Sequence, residues 1–159
     1  MVRAFQHIRW DKPAHLFESY LAEQEDGRRV VLVALADTRF AGYLTVAWKP
    51  DYPPFRRRAV PEIQDFNVLP DYRRQGIGTR LMDEAEAIVA TRSPVVGIGV
   101  GVYAAYGPAQ RLYVRRGYVP DGRGLASHQR SVLPGDEVLV DDGLVLYLIK
   151  ELRPDAEGA

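Results

Sequence analysis

The chain has no cysteine, only two methionines, no excess of charge of either sign and no hydrophobic run long enough to cross a membrane. Without cysteine there is no disulfide, no thiolate metal site and no thiol nucleophile. Lys plus Arg number 21 and Asp plus Glu 21, so no overall field draws the chain towards nucleic acid or an anionic membrane. No stretch approaches the roughly 20 apolar residues of a membrane span, and the opening Met1-Val2-Arg3-Ala4-Phe5 has no form of a secretory signal. These absences leave a cytoplasmic location as the expectation. The three histidines, His7, His15 and His128, show no ligand spacing, so no metal is expected.

What is present is an ordinary globular balance, 159 residues with 47% apolar and 26% charged. That suits one domain with a real core. Residues 1–159 are therefore read as a single domain, with 1–12 and 154–159 as poorly ordered tails. Pro13 to Asp26 reads as a helix with Leu16, Phe17, Tyr20 and Leu21 on one face and Gly27 as its stop. Arg29 to Ala36 and Phe40 to Trp48 read as an antiparallel pair of strands. Lys49 to Pro61, with four prolines, reads as a loop. Glu62 to Leu69 is a third strand, Gly78 to Thr91 a long helix and Val95 to Val102 a strand with Gly97, Gly99 and Gly101 on one face. A bare glycine face marks close approach of a helix, backbone or ligand. Pro108 and Gly117 bracket another helix. Tyr118 opens a strand, Asp121 to Gly135 reads as a loop, and Leu144 to Glu151 is the last strand. Alternation from residue 62 onward predicts βαβ units with a parallel pair; the earlier hairpin makes the sheet mixed.

The most informative stretch is Arg73-Arg74-Gln75-Gly76-Ile77-Gly78. It joins the third strand to an amphipathic helix marked by Ile77, Leu81, Met82, Ala85, Ile88 and Val89. A tight basic glycine turn at a helix start aims unpaired N–H groups and the positive end of the helix dipole at one spot, which suits phosphate. A dinucleotide fingerprint would need a third glycine at position 81, which is Leu81, and no P-loop pattern is present.

About thirty residues on stands Ala109-Gln110-Arg111-Leu112-Tyr113-Val114-Arg115-Arg116-Gly117-Tyr118. The pattern Arg73-x-x-Gly76-x-Gly78, preceded by Val68-x-Pro70, resembles the pyrophosphate loop of the GNAT N-acetyltransferases. The later segment resembles that family's second signature, A-x-x-L-Y-x-x-x-G-[FY]. The resemblance covers residues 29 to 120 well and both ends poorly. It implies an α/β (α+β) fold: a mixed central sheet with helices on both faces, and a parallel pair splayed around an acyl-CoA cleft. It also implies acetyl-CoA as co-substrate, held by Asn67, Val68, Leu69, Arg73, Arg74, Gln75, Gly76, Ile77, Gly78, Thr79 and Ala109. Val68 is the position whose main-chain N–H would serve pantetheine and oxyanion. Tyr113 matches the tyrosine that acts as general acid on the CoA sulfur, and Glu62 lies where some members place a general base.

The residues themselves support these roles. A strand covered on both faces should be apolar throughout, yet Glu62, Gln64, Asp65 and Asn67 interrupt this one, as in the wall of a wet cleft. Glu62 is also explained by a solvent-facing strand end; Asp65, the rival base, falls on the other face by the strand period. A tyrosine stays protonated at neutral pH and can donate to a thiolate, or it can simply be a core residue. Arg56-Arg57-Arg58 reads as a solvated run. Tyr52, Pro53, Pro54 and Phe55 fit either an apolar lid or an ordinary packed loop.

Two departures from the family pattern stand out. Many members carry asparagine three residues before the motif alanine, where this chain has Tyr106, which could share the role of Tyr113. The N-terminus is short, so the family's first strand is either compressed into Ala4 to Trp10 or absent. That leaves the acceptor side open, or covered by a second subunit in a homodimer. The reading at this level is an acetyl-CoA-dependent N-acetyltransferase acting on a primary amine of a small molecule or peptide. The alternative is a non-catalytic acyl-CoA-binding module or sensor, and a third possibility is transfer of a longer acyl group.

Overall fold

The computed structural model describes residues 2–7 and 12–152. In chain order these form α1 (Val2–His7), α2 (Ala14–Glu25), β1 (Arg29–Ala36), β2 (Arg39–Ala47), α3 (Pro53–Arg57) and β3 (Glu62–Val68). There follow α4 (Ile77–Ala90), β4 (Val95–Gly101), α5 (Gly107–Arg115), β5 (Val119–Ser127), β6 (Arg130–Ser131) and β7 (Leu144–Glu151). Single 3-10 turns lie at Pro70–Tyr72 and Ala104–Tyr106. The seven strands and their helices make the expected mixed α/β fold. The chain divides into two compact units, Met1–Trp48 with Ile63–Ile88, and Lys49–Glu62 with Val89–Ala159.

In the first unit, Pro13 in extended conformation starts α2, and Gly27 at φ 70° lets the chain leave it. Phe17 and Tyr20 centre the buried stripe of this helix, their rings edge-on at 6.5 Å. Leu21, expected on that face, falls on its flank and stands 47% exposed. β1 and β2 pair antiparallel from Arg29↔Ala47 to Ala36↔Arg39 across the tight turn at Asp37, as the sequence predicts. β2 lies between β1 and β3 in strand order and is buried from Ala41 to Ala47. Its apolar run is that of a strand covered on both faces. Phe17, Tyr43 and Leu69 form the core here, with Tyr20, Phe40 and Tyr72 packed on them. Of the predicted stripe of α4, Leu81, Met82, Ala85 and Val89 are buried and Ile77 and Ile88 half-buried.

Of the two alternatives for the first strand, compressed into Ala4 to Trp10 or absent, Ala4 to His7 follow the second: Val2–His7 is α1, a helix within the stretch 1–12 expected as a tail. Residues 8–10 of that expected strand, and the expected tail at 154–159, lie outside the described residues.

In the second unit, β4 pairs antiparallel with β7 from Val95↔Glu151 to Gly101↔Val145. β5 pairs with the other edge of β7. The loop expected at 121–135 is largely strand. β5 runs to Ser127, jumping register between Pro120 and Leu125, and turns back into β6. Gly122 and Gly124, at φ 83° and 73°, absorb the extra residues of that bulge, so glycines that suggest a loop instead bend a strand. The expected loop at 49–61 likewise contains α3, with Pro53 and Pro54 in its first turn, where a missing N–H costs nothing. Tyr52 and Phe55 are buried, so this segment is packed rather than a free lid. Arg56, Arg57 and Arg58 are exposed as expected.

Candidate active site

The glycine turn forms as a left-handed reversal, with Arg74 at φ 59° and Gly76 at φ 78°. A side chain is strained at such angles, which accounts for glycine at 76. The Arg80 N–H donates to the Gly76 carbonyl at 3.0 Å, opening the hydrogen-bond ladder of α4. The N–H groups ahead of it have no intrahelical acceptor and face outward with the positive end of the helix dipole. A methyl built on Gly76 would meet nothing within 4 Å. Gly78 is different: a Cβ there would stand 3.1 Å from the Phe66 ring and 3.6 Å from Val68. Its lack of side chain serves packing of α4 against β3. Ile77 and Thr79 lie in the first turn of the same helix.

Two side chains brace the turn. Arg73 donates its Nε–H to the Val68 carbonyl at 3.1 Å, tying the basic turn back to the end of β3. Gln75 donates to the Asp71 carbonyl at 3.1 Å. The Leu69 N–H is engaged with the Ala41 carbonyl at 2.9 Å, so of the expected backbone donors it is committed to β2. Gly42 on β2 permits this: a Cβ at 42 would meet the Asn67 carbonyl at 2.5 Å.

Upstream on β3, Asp65 sits at φ 51° inside a strand. Left-handed backbone at a non-glycine residue costs on the order of 1–3 kcal/mol and interrupts the two-residue alternation. Its carboxylate accepts hydrogen bonds from the Tyr20 hydroxyl at 3.1 Å, the Tyr43 hydroxyl, the Asn67 amide at 2.9 Å and the Lys12 ammonium. Asn67 also donates to the Asp65 carbonyl at 3.0 Å, closing the kink on itself. Burial, then the Asp65 charge, pushes the Tyr20 phenol up. Burial, then the hydrogen bond to Asp65, does the same at Tyr43. Both keep their protons. Beside them Arg29 reaches Glu23 at 2.6 Å, Thr45 at 2.7 Å and Gln64 at 2.9 Å, with its guanidinium 4.6 Å from the Tyr20 ring centre. Thus Gln64 and Asp65, which interrupt the strand, are each answered by a partner from another element. Arg29 carried no signal in the sequence, being one arginine at a strand start.

Glu62, Tyr106, Ala109 and Tyr113 belong to the second unit. Glu62 is 7% exposed, which removes the solvent-facing explanation. Its charge is among the causes that raise the Tyr52 and Tyr147 phenols, after burial in each case. These two rings stack at 3.5 Å, and the Tyr52 hydroxyl donates to Asp121 at 2.9 Å. Tyr106 and Tyr103 both donate to the Asp142 carboxylate, Tyr106 at 2.9 Å. Burial and then that bond raise the Tyr106 phenol, whose proton is committed to Asp142.

Tyr113 contrasts with it. The ring is 5% exposed, and burial alone raises its phenol. Its hydroxyl hydrogen-bonds to no described residue. No buried side-chain polar atom lacks a partner among the described residues, so this oxygen reaches an accessible surface. The sequence could not have separated Tyr106 from Tyr113; Asp142, thirty-six residues away, does so.

The glycine face of β4 is filled by side chains, three aromatic rings and Val145. A Cβ on Gly97 would stand 2.2 Å from Phe55, on Gly99 2.8 Å from Val145 and 3.1 Å from Tyr147, and on Gly101 2.3 Å from Tyr106. The close approach is by the protein's own side chains, which fill the space over this face that a longer acyl chain would need. His128 lies on a turn, 3.4 Å from Asp141, and no group of three or more metal-ligating side chains occurs among the described residues. Nor is any helix there long and apolar enough to cross a membrane.

No curated protein sequence matches the chain. Solved structures do. A ribosomal-protein-alanine N-acetyltransferase from Brucella melitensis is 19% identical over 89% of this chain and 80% of its own, with a TM-score of 0.63. A Salmonella typhimurium protein assigned as an acetyltransferase, solved with its cofactor acetyl-CoA, is 19% identical over 89% and 75%, TM-score 0.62. A Desulfovibrio desulfuricans protein assigned to the acetyltransferases of the GNAT family is 19% identical over 86% and 77%, TM-score 0.63. At these identities the likeness establishes the shared fold. Residues 2–118, which hold the glycine turn, the kinked strand and the Tyr113 helix, match the model of the acetyltransferase (GNAT) family, and the chain belongs to that family.

Proposed function

We propose that this acetyltransferase moves an acetyl group from acetyl-CoA to a primary amine, of a small molecule or a peptide, by direct attack in a ternary complex. Residues 1–159 act as one domain, a reading supported by a family match that spans parts of both compact units. The Arg73–Thr79 turn grips the pyrophosphate: its outward N–H groups, two arginines and the open space over Gly76 suit an anion. Asn67 and Val68 line the pantetheine, Leu69 packs beneath it, and Ala109 lies in the first turn of the second signature helix.

Glu62, buried beside the Tyr52–Tyr147 stack, takes a proton from the acceptor ammonium, directly or through water, so that nitrogen attacks as the free amine. The Val68 N–H faces the carbonyl oxygen as it becomes an oxyanion, which preorganised donors stabilise. As the carbon–sulfur bond breaks, the Tyr113 hydroxyl donates to the leaving thiolate. Products are the acetylated amine and free CoA. Tyr113 carries this reading: it is a buried phenol, protonated at neutral pH and hydrogen-bonded to no described residue, so its donor is available. Tyr106, bound to Asp142, is the weaker donor.

The test is release of free CoA across a panel of amines. Tyr113→Phe is expected to lower kcat by about 10²-fold with KM little changed, and Glu62→Gln by a similar factor. CoA binding without turnover on any amine would favour a sensor and overturn the reading.

A further inference from the structure

The Asp65 cluster contains more than a strand kink needs. One carboxylate gathers two tyrosine hydroxyls, a side-chain amide and an ammonium, and the Tyr20 and Tyr43 rings that carry those hydroxyls pack edge-on against Phe17. Carboxylate plus aromatic walls is the chemistry that holds an alkylammonium. The ammonium now there belongs to Lys12, which lies on neither helix nor strand, just ahead of Pro13. Its partners Tyr20, Tyr43 and Asn67 are built into α2, β2 and β3, whereas Lys12 reaches in on a flexible stem from a connecting segment. A carboxylate only 15% exposed needs a cation, and a tethered lysine supplies one at high effective concentration.

We propose that the Asp65–Tyr20–Tyr43 pocket is the anchoring site for a second, non-reacting ammonium group of the acceptor, which displaces Lys12. This rests on the acetyl-transfer reading and specifies its substrate as an aliphatic diamine or polyamine. Val68 stands three positions beyond Asp65 along β3, a span of roughly 10 Å at the rise of extended chain. If Val68 marks the reacting carbonyl, the two nitrogens of the acceptor are separated by about that distance less the reach of the Asp65 side chain. 1,5-Diaminopentane meets that condition, and 1-aminopentane has the same chain without the second charge.

The experiment measures binding of these two amines by calorimetry without acetyl-CoA, and CoA release separately. The native chain should bind the diamine at least about tenfold more tightly than the monoamine, a factor worth 1.4 kcal/mol. Asp65→Asn should abolish the difference. Lys12→Ala should tighten diamine binding several-fold, because the competing internal cation is gone. A merely structural Lys12–Asp65 pair predicts the opposite: Lys12→Ala loses stability and gains no affinity. If Asp65→Asn does not fold, Lys12→Ala decides alone, and unchanged or weaker diamine binding overturns the proposal. Equal turnover of both amines with no diamine preference sinks the pocket and leaves acetyl transfer standing. Asp65-dependent diamine binding without CoA release leaves the pocket standing and sinks the transfer.

Discussion

Two glycine-bearing segments, the turn at 73–78 and the strand at 97–101, look equally empty in the sequence and are opposites in the structure. Gly76 is required by its backbone angle and has open space where a side chain would be. Gly97 has ordinary extended backbone and is required because the Phe55 ring occupies that space. The first glycine leaves room for a ligand; the second makes room for the protein's own core. Absence of a side chain therefore says that something comes close, without saying whether it is ligand or protein.

Substitutions can break that comparison, beginning with the largest effect. Phe55→Ala empties a fully buried ring site over Gly97 and should cost about 3–5 kcal/mol in urea denaturation. Gly97→Ala forces the same ring aside and should cost about 1–3 kcal/mol, with CoA affinity unchanged once the protein is folded. In a Phe55→Leu background the Gly97→Ala cost should shrink, a coupling that a double-mutant cycle reads directly. Gly76→Ala should lower stability by only about 1–2 kcal/mol through backbone strain. It should nevertheless weaken CoA binding measurably by calorimetry. If Gly76→Ala left CoA affinity intact, or Gly97→Ala removed it at full stability, the assignment of open and filled glycines would be reversed.

The subtlest difference is in alkaline titration. Burial raises the phenols of Tyr20 and Tyr43 in the first unit and of Tyr52, Tyr106, Tyr113 and Tyr147 in the second. A phenol raised above its unfolded value of 10.0 adds stability that is whole below that pH and is lost as pH climbs towards the folded value, because only the unfolded chain ionises there. Thermal stability should therefore be flat in this respect up to pH 10 and fall steeply above it. Probes in the second unit, with more such phenols, should report the steeper fall. Tyr113 should likewise remain protonated across that range, so a basic limb in the pH–rate profile below pH 10 must come from another group.

The same contrast explains how much was legible in advance. β1, β2, β3, α4, β4 and β7 stand within a residue or so of their expected places, because two- and 3.6-residue apolar periods are local properties of the chain. The glycine turn was legible for the same reason: backbone angles, helix start and basic residues all lie within six positions. The part of β5 beyond Pro120, and α3, were misread as loops, because glycine and proline there serve a bulge and a helix start, and only pairing with β7 or packing of Phe55 distinguishes those uses. The helix at Val2–His7 was not foreseen: the family pattern left only a compressed strand or none for Ala4 to Trp10, and Ala4 to His7 are helical.

Composition and periodicity predicted a mixed α/β domain with a tight basic glycine turn between β3 and α4, and two spaced motifs, through their resemblance to the GNAT family, predicted an acetyltransferase. They carry that information because hydrophobic period, helix start and left-handed glycine are each written in neighbouring residues. Tertiary structure alone decided which glycine is open, which tyrosine keeps a donor available and which carboxylate holds an ammonium. Those facts depend on Phe55 meeting Gly97, Asp142 meeting Tyr106 and Lys12 meeting Asp65, partners about forty or more residues apart in every case but one. Such meetings follow from packing, and no local pattern announces them.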